Sequence, residues 1–383
     1  MTGLVRRVAS HLLAAASRLL PPRLLPWARA MARELDEIGD GRAALAFAAG
    51  CLGAILSLAI AERLNPTSST ASTWSIVMNG IFARPRLLGL LCGAGAVGLG
   101  LAYMSAAGAP GRYLLMNLGA LVLGATLWLA LGRFAGARVA GAGALTLALA
   151  VPLLLTVWFG SAVDGAARWV SVGPFNLQLS LILLPVMLVL YARRPDAAGT
   201  AGMVVAALAL ALQPDRAMAG VLAAALLVLL FADRSRLVAT AAAGALLAFG
   251  WTLLLPDRLP AVPYVDGILF SAFHVHVAAG LAVLAGAAAL LLPAASAWKP
   301  QADRPTLLTF AACWGATILA AALGNYPTPL VGYGGSAILG YLLSVALLPH
   351  RAGEGASLRT TLPAADDQSP DHVGSELCAP RLA

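Results

Sequence analysis

The chain has 383 residues, of which 60% are hydrophobic and only 11% charged, and its mean hydropathy is +0.84. A soluble globular protein carries about 25% charged residues, so this composition cannot cover a water-facing surface. It excludes a cytosolic enzyme, a secreted disulfide scaffold and a nucleic-acid-binding domain, and the net charge of +8 fits basic loops that hold membrane helices in orientation.

Residues 1–42 come first. Four arginines are spread over residues 1–24 and break up any leader-type apolar core. Over 24–41, Trp27, Met31, Leu35 and Ile38 recur at helical spacing and predict an amphipathic surface helix. Residues 43–85 hold an apolar run (43–62) and a Ser/Thr-rich linker. A bilayer core about 30 Å thick needs roughly 20 apolar residues as a helix. Ten further runs meet or approach that length: 86–107, 113–132, 139–160, 177–192, 198–213, 216–232, 237–255, 268–293, 306–325 and 329–348. Barrel strands would show ten-residue alternation, and bare backbone cannot face lipid. The expectation is an all-α polytopic membrane bundle of ten to eleven helices, with the membrane domain over 86–348. Residues 349–383 are polar and predict a disordered cytoplasmic tail. Cys51, Cys92, Cys313 and Cys378 form no C-x-x-C pair and read as small hydrophobes.

With the tail inside, the inner loops hold Arg133, Arg138, Arg193, Arg194, Arg234, Arg236, Lys299, Arg304 and Arg351. The outer loops hold Arg112, Arg168, Arg216 and Arg258. This obeys the positive-inside tendency. Counting back through all eleven runs leaves residues 1–42 outside, although they hold seven arginines against four acids.

Four polar clusters fall at the expected outer face, where polar residues in so apolar a chain are informative. The first runs from Gly165 through Arg168, Trp169, Gly173, Pro174, Gln178 and Ser180; it opens the helix at 177–192 and reads either as an aromatic-belt loop or as a headgroup contact. The second is Gln213-Pro214-Asp215-Arg216, a tight reversal in which Asp215 either caps the next helix or pairs with Arg168 or Arg216. The third runs from Pro260 through Pro263, Tyr264, Asp266 and Gly267 to Phe270, where Asp266 is either an N-cap or a partly desolvated carboxylate fit for general-base work. The fourth is Tyr326-Pro327-Thr328-Pro329-Leu330-Val331-Gly332-Tyr333-Gly334-Gly335-Ser336, read as helix packing or as a polar lining. His274 and His276 point to different sides of a helix, so core hydrogen bonding is expected of them rather than a shared metal ion. No phosphate-binding Gly-Lys loop exists.

In order along the chain these clusters resemble the SEDS family. The likeness rests on Gly-Ala-x-Arg-Trp, Gly-Pro-Phe-x-x-Gln-x-Ser, Gln-Pro-Asp, Asp-x-Ile and Thr-Pro-Leu-x-x-Tyr-Gly-Gly-Ser, with Ala102-Tyr103-Met104-Ser105 upstream. SEDS proteins are peptidoglycan glycosyltransferases of the bacterial inner membrane that serve cell division and cell shape. The resemblance implies lipid II at the outer leaflet as substrate, a class B penicillin-binding transpeptidase as partner, and Asp266 as catalytic base. It implies substrate contacts from Arg168, Trp169, Gln178, Ser180, Asp215, Tyr333 and Ser336; Arg216 and Arg258 join them as nearby outer cations for the diphosphate, although neither matches a family motif position. No cofactor is fixed by it; a divalent cation on the diphosphate stays open. The chain also departs from the pattern. Only about eleven residues (256–266) stand where the family has a long outer loop, and Gln178-Leu179-Ser180-Leu181 replaces Gln-Pro-Ser-Glu. Three readings follow: a divergent glycan polymerase, an inactive SEDS-fold regulator or partner subunit, and an unrelated transporter or lipid-handling protein.

Overall fold

Long apolar runs satisfy their backbone internally as helices, and the short polar residues between them punctuate the chain. A computed structural model describes residues 25–38, 43, 47, 84–134, 141–163, 166–173, 175–256, 260–298 and 302–349. The run at 43–62 (apart from Ala43 and Phe47), the linker behind it, Arg258 and the tail from 350 lie outside the described residues. The chain divides into two units, Met1–Met78 and Asn79–Ala383. In the first, α1 (Leu25–Glu37) buries Met31 and Leu35, four residues apart, and exposes Arg33 and Glu34, as an amphipathic helix should.

The second unit is a helix bundle: α2 (Pro85–Ala106), α3 (Gly111–Phe134), α4 (Ala142–Phe159), α5 (Leu179–Arg193), α6 (Ala197–Leu212), α7 (Arg216–Ala232), α8 (Arg236–Leu254), α9 (Ile268–Val275), α10 (Val277–Ala289), α11 (Arg304–Leu323) and α12 (Gly335–Ala346). Side chains of the short loops fix several starts. Asp196 Oδ1 accepts from Gly199 N–H (2.7 Å), Ser235 Oγ from Val238 N–H (3.3 Å) and Asp303 Oδ1 from Thr306 N–H (3.5 Å).

Each predicted run from 86 onward carries helix, with three corrections. The run 268–293 is not one helix: it breaks at His276, whose backbone is extended and whose Nδ1 accepts from Ala278 N–H at 3.0 Å to start α10. Both His274 and His276 are exposed rather than in the core. The last helix starts at Gly335, six residues later than the apolar pattern suggested, because Pro329 to Gly334 form a turn. The stretch expected as a loop into the helix at 177 is a three-stranded antiparallel sheet, β1 (Ser161–Val163), β2 (Ala166–Val172) and β3 (Phe175–Gln178), in the order β1-β2-β3.

Among the described residues five helices (α2, α3, α4, α8, α11) are long and apolar enough to cross a membrane by length and composition. A sixth span is reached if α10 and the 3-10 turn Leu292–Trp298, bent by 42°, count as one. The chain is an all-α integral membrane protein. α5, α6, α7 and α12 are shorter, at 15, 16, 17 and 12 residues. At 1.5 Å per residue, α12 rises only about 18 Å. Short helices leave room at one end of the bundle, and the sheet and the 329–334 turn occupy it.

The core centres on α5, where Leu184, Met187, Leu188, Leu190 and Tyr191 are fully buried. Trp314 of α11 meets Tyr341 of α12 edge-on at 5.1 Å and donates Nε1–H to Ser344 Oγ at 3.3 Å. At the end of the bundle where α12 stops, Arg86 donates to the Leu348 carbonyl and Arg193 to the Leu347 carbonyl, the usual service of cations at a helix C-terminus. Gly340 lets α12 lie directly on α5: a Cβ there would collide with the Leu181 carbonyl oxygen. Small residues permit such backbone approach in membrane bundles. Gly340→Ala is expected to cost about 1–3 kcal/mol by overpacking, read as a lowered Tm of the purified protein in detergent; an unchanged Tm would mean that α5 and α12 separate freely.

Candidate active site

The site is built where α3, α5, α7, α9 and α12 begin. β2 and β3 pair Trp169 with Gln178, Val170 with Leu177, Ser171 with Asn176 and Val172 with Phe175. Gly173 turns the hairpin at φ 58°, and Ser171 Oγ donates to Asn176 Oδ1 at 2.8 Å. β3 runs straight into α5, so Gln178 stands at the junction of sheet and helix.

Beneath the sheet lies a buried polar knot. Asp215 is fully buried and caps α7, one carboxylate oxygen accepting from Met218 N–H at 3.3 Å. The other oxygen accepts from the Ser180 hydroxyl (2.9 Å) and from Gln178 Nε2–H (3.2 Å), and Gln178 Nε2–H also reaches Ser180 Oγ at 3.1 Å. Buried polar groups must find partners, and here three elements share one set. The Arg168 guanidinium donates to the Pro214 carbonyl, fastening the sheet to the turn before Asp215. Of the two readings of Asp215, the capping one describes its geometry, extended by Gln178 and Ser180. Arg216 points elsewhere, donating to the Thr252 and Leu255 carbonyls at the end of α8.

Two loops cross opposite the sheet. Thr328 N–H donates to the Val265 carbonyl at 2.9 Å, Tyr333 N–H to the Tyr264 carbonyl at 2.6 Å, and Asp266 pairs with Pro327 as an antiparallel bridge. Tyr264 has φ 65°, a conformation that costs a non-glycine residue about 1–3 kcal/mol and clusters at functional sites. Its hydroxyl donates to the Ala107 carbonyl at 3.1 Å. Tyr113 stacks on Tyr333 at 4.0 Å and meets Tyr264 edge-on at 6.2 Å. Asn117 of α3, fully buried, completes the turn: Nδ2 donates to the Gly332 carbonyl (2.8 Å) and Oδ1 accepts from Gly334 N–H (3.1 Å). Sequence reasoning missed Asn117, although a lone amide in an otherwise apolar membrane helix is itself a signal.

Asp266 is half-buried, and it is Gly267 (φ 66°) that precedes α9 as its cap residue. The Asp266 side chain instead accepts from Val262 N–H at 2.8 Å. Burial raises its pKa from the ordinary aspartate value, and the Val262 hydrogen bond offsets part of that.

Between the sheet and these loops lies a cavity of about 960 Å³. Arg168, Trp169, Gln178, Asp266, Tyr333 and Ser336 all line it. Ser180 and Asp215 lie in the knot behind Gln178, off the lining, and Arg216 faces α8. Among the described residues that line the cavity, Asp266 is the one carboxylate. Leu115, Gly119 and Leu123 of α3 form an apolar flank, and α3 is the long helix with the most open surface, with Leu115 71% exposed. Among the described residues no group of three or more His, Cys, Asp or Glu is placed to hold a metal ion. Cys92 and Cys313 are buried free thiols.

A cavity sunk into one end of a helix bundle, roofed by a hairpin and floored by a Tyr-Gly-Gly turn, defines a membrane protein of SEDS-like fold. Its architecture is similar to that of the Thermus thermophilus Rod shape determining protein RodA, with a TM-score of 0.53 and 24% identity over 68% of this chain and 94% of that one. An Asp-to-Ala variant of the same RodA gives a TM-score of 0.51 at 24% identity over 68% and 95% of the two chains. At that identity the likeness is one of fold. The sequence matches no family model and no curated protein sequence.

Proposed function

We propose that the chain is a divergent SEDS-type glycosyltransferase of the bacterial inner membrane, transferring a sugar from a polyprenyl diphosphate, with lipid II as the substrate. The observation that carries this reading is Asp266: a partly desolvated carboxylate on the wall of a cavity of about 960 Å³, in a RodA-like fold. In this reaction the acceptor hydroxyl attacks the anomeric carbon of the donor. As that C–O bond forms, the bond to the lipid diphosphate breaks and the hydroxyl proton passes to Asp266. The transfer is taken as a single displacement with inversion, Asp266 serving as the base; a double displacement needs a second carboxylate as nucleophile, and Asp266 is the one carboxylate among the described residues of the lining. Trp169 and Tyr333 offer faces for sugar rings, and the apolar flank on α3 faces the prenyl chain. Residues 86–348 would carry the activity, with a class B penicillin-binding transpeptidase as its partner. The second reading, a SEDS-fold regulator without activity, is favoured by the short connection between α8 and α9, residues 255–267.

Purified full-length protein with labelled lipid II separates the two. Glycan strands are expected for the enzyme; a protein that co-purifies with a transpeptidase and makes no strands is the regulator. The pH profile adds a check. Asp266 must be ionised to take a proton, and burial raises its pKa, so activity should fall on acidification at a higher pH than an ordinary aspartate would give. An acid limb no higher than that of an ordinary exposed aspartate would remove Asp266 from the role.

A further inference from the structure

The end of the bundle opposite the cavity carries a charged corner that the proposed reaction does not use. α6 ends and α7 begins at the Pro214 turn beneath the sheet, so α6 starts, α7 stops and α8 starts at the far end. A Cβ at Gly244, eight residues beyond the start of α8, would stand 3.5 Å from Val204 Cγ2, seven residues beyond the start of α6. The two helices therefore run parallel and begin side by side at one level. The loops 194–196 and 233–235 meet there, and Tyr191 near the end of α5 feels the charges of both Asp233 and Asp196. Arg194, Arg234 and Arg236 are exposed on these loops. Among the described residues none of the three guanidinium groups makes an ion pair or a hydrogen bond. The Asp196 carboxylate is engaged instead by Gly199 N–H at 2.7 Å and lies over Gly143. Orienting a helix asks only for cations near its end; here three gather on two adjoining loops and the nearby carboxylates leave them without a partner.

Apolar surface adjoins the arginines. α8 has 19 residues and rises about 28 Å, close to the roughly 30 Å of a bilayer core, so Arg236 at its first position stands at headgroup depth. Phe231 in the last turn of α7 is 80% exposed and Leu237 in the first turn of α8 is 37% exposed. Cations beside bare apolar side chains at that depth suit a molecule with phosphate at one end and hydrocarbon at the other; a soluble anion or an acidic protein segment gains nothing from Phe231. Arginine forks match phosphate oxygens, and three of them exceed the charge of a single phosphodiester. We propose that Arg194, Arg234 and Arg236 bind the headgroup of an anionic phospholipid, of the doubly charged diphosphatidylglycerol class, with an acyl chain along Phe231 and Leu237. The proposal concerns the end away from the cavity and does not rest on the glycosyl-transfer reading.

The test is native mass spectrometry of the full chain in detergent, with diphosphatidylglycerol and phosphatidylcholine of matched acyl chains as probes. One saturable diphosphatidylglycerol is expected, held at least about tenfold tighter than phosphatidylcholine, with the preference falling as salt rises. Each of Arg194→Gln, Arg234→Gln and Arg236→Gln should weaken it about fivefold, and the three together about a hundredfold, the scale of cations near an anionic leaflet. These side chains hold no partner among the described residues, so the variants should keep the parent's Tm when no lipid is added. Phe231→Ser should weaken the lipid several-fold through its chain. Arg112→Gln, a cation at the cavity end, should leave the binding unmoved. Equal retention of the two lipids, a triple variant that holds diphosphatidylglycerol as the parent does, or an equal loss in Arg112→Gln overturns the site. Displacement of the lipid by inorganic diphosphate at the same phosphate concentration would make the corner a soluble-anion site and overturns the lipid as its occupant.

Discussion

Replacing Asp266 with asparagine is expected to slow glycan polymerisation by about a hundred- to ten-thousandfold, the range in which a positioned base contributes. The substitution is isosteric, and its amide oxygen can still accept from Val262 N–H as the carboxylate does at 2.8 Å. The loop from Pro260 to Gly267 and its bridge to Pro327 should therefore keep their geometry, and the loss should report basicity rather than folding. The ratio to watch is strand formation against lipid II binding: kcat should collapse while binding stays. Full activity in Asp266→Asn, with the protein as stable as the parent, would remove the catalytic assignment and leave the cavity as a binding site. Asp266→Glu supplies a control. It restores a carboxylate one methylene out of place, so it should recover little.

The second large effect lies away from the chemistry, at Asn117. Asn117→Leu removes both bonds from Asn117 to the 332–334 turn and leaves the Gly332 carbonyl and the Gly334 N–H without those partners in an apolar setting. Each orphaned group costs about 1–3 kcal/mol, so a total of about 2–6 kcal/mol is expected, read as a fall in Tm and in the midpoint of denaturant unfolding in detergent. Asn117→Asp keeps the acceptor for Gly334 N–H and loses the donor to Gly332, so its cost should be intermediate. The turn also carries Tyr333, stacked on Tyr113, and α12 starts directly behind it. Loosening it should degrade ligand binding even at temperatures where the bundle stays folded. Equal stability of the Leu variant would show that the turn is held by Tyr264 and Tyr113 alone.

The helices were legible because burial of apolar side chains and backbone satisfaction in lipid both act locally along the chain. The run at 306–325 reads as a helix from its composition, and the structure places α11 there at Arg304–Leu323, started by Asp303. Where tertiary partners intervened, the local pattern failed. The sheet at 161–178 follows strand signals that were present, the branched residues of β2 and the Gly173-Pro174 turn, but nothing local separates a hairpin from an interfacial loop. Residues 329–334 are apolar enough to be helix, yet Asn117, 215 positions away from Gly332, offers their backbone better partners. The break at His276 follows from a ring nitrogen taking the place of a helical carbonyl at Ala278 N–H, a competition that composition does not register.

By itself, then, the amino-acid order determined that this is a multi-helix membrane protein, and it marked Arg168, Gln178, Asp215, Asp266, Tyr333 and Ser336 as polar groups that had to find partners in an apolar chain. Only the tertiary structure decided which partners. It turned Arg216 to the end of α8, sank Asp215 and Ser180 behind the cavity wall, and left Asp266, Gln178 and Ser336 on its surface. The reason is physical: hydrophobicity is additive along a segment and readable there, whereas hydrogen-bond partners are directional and are settled only when distant segments meet.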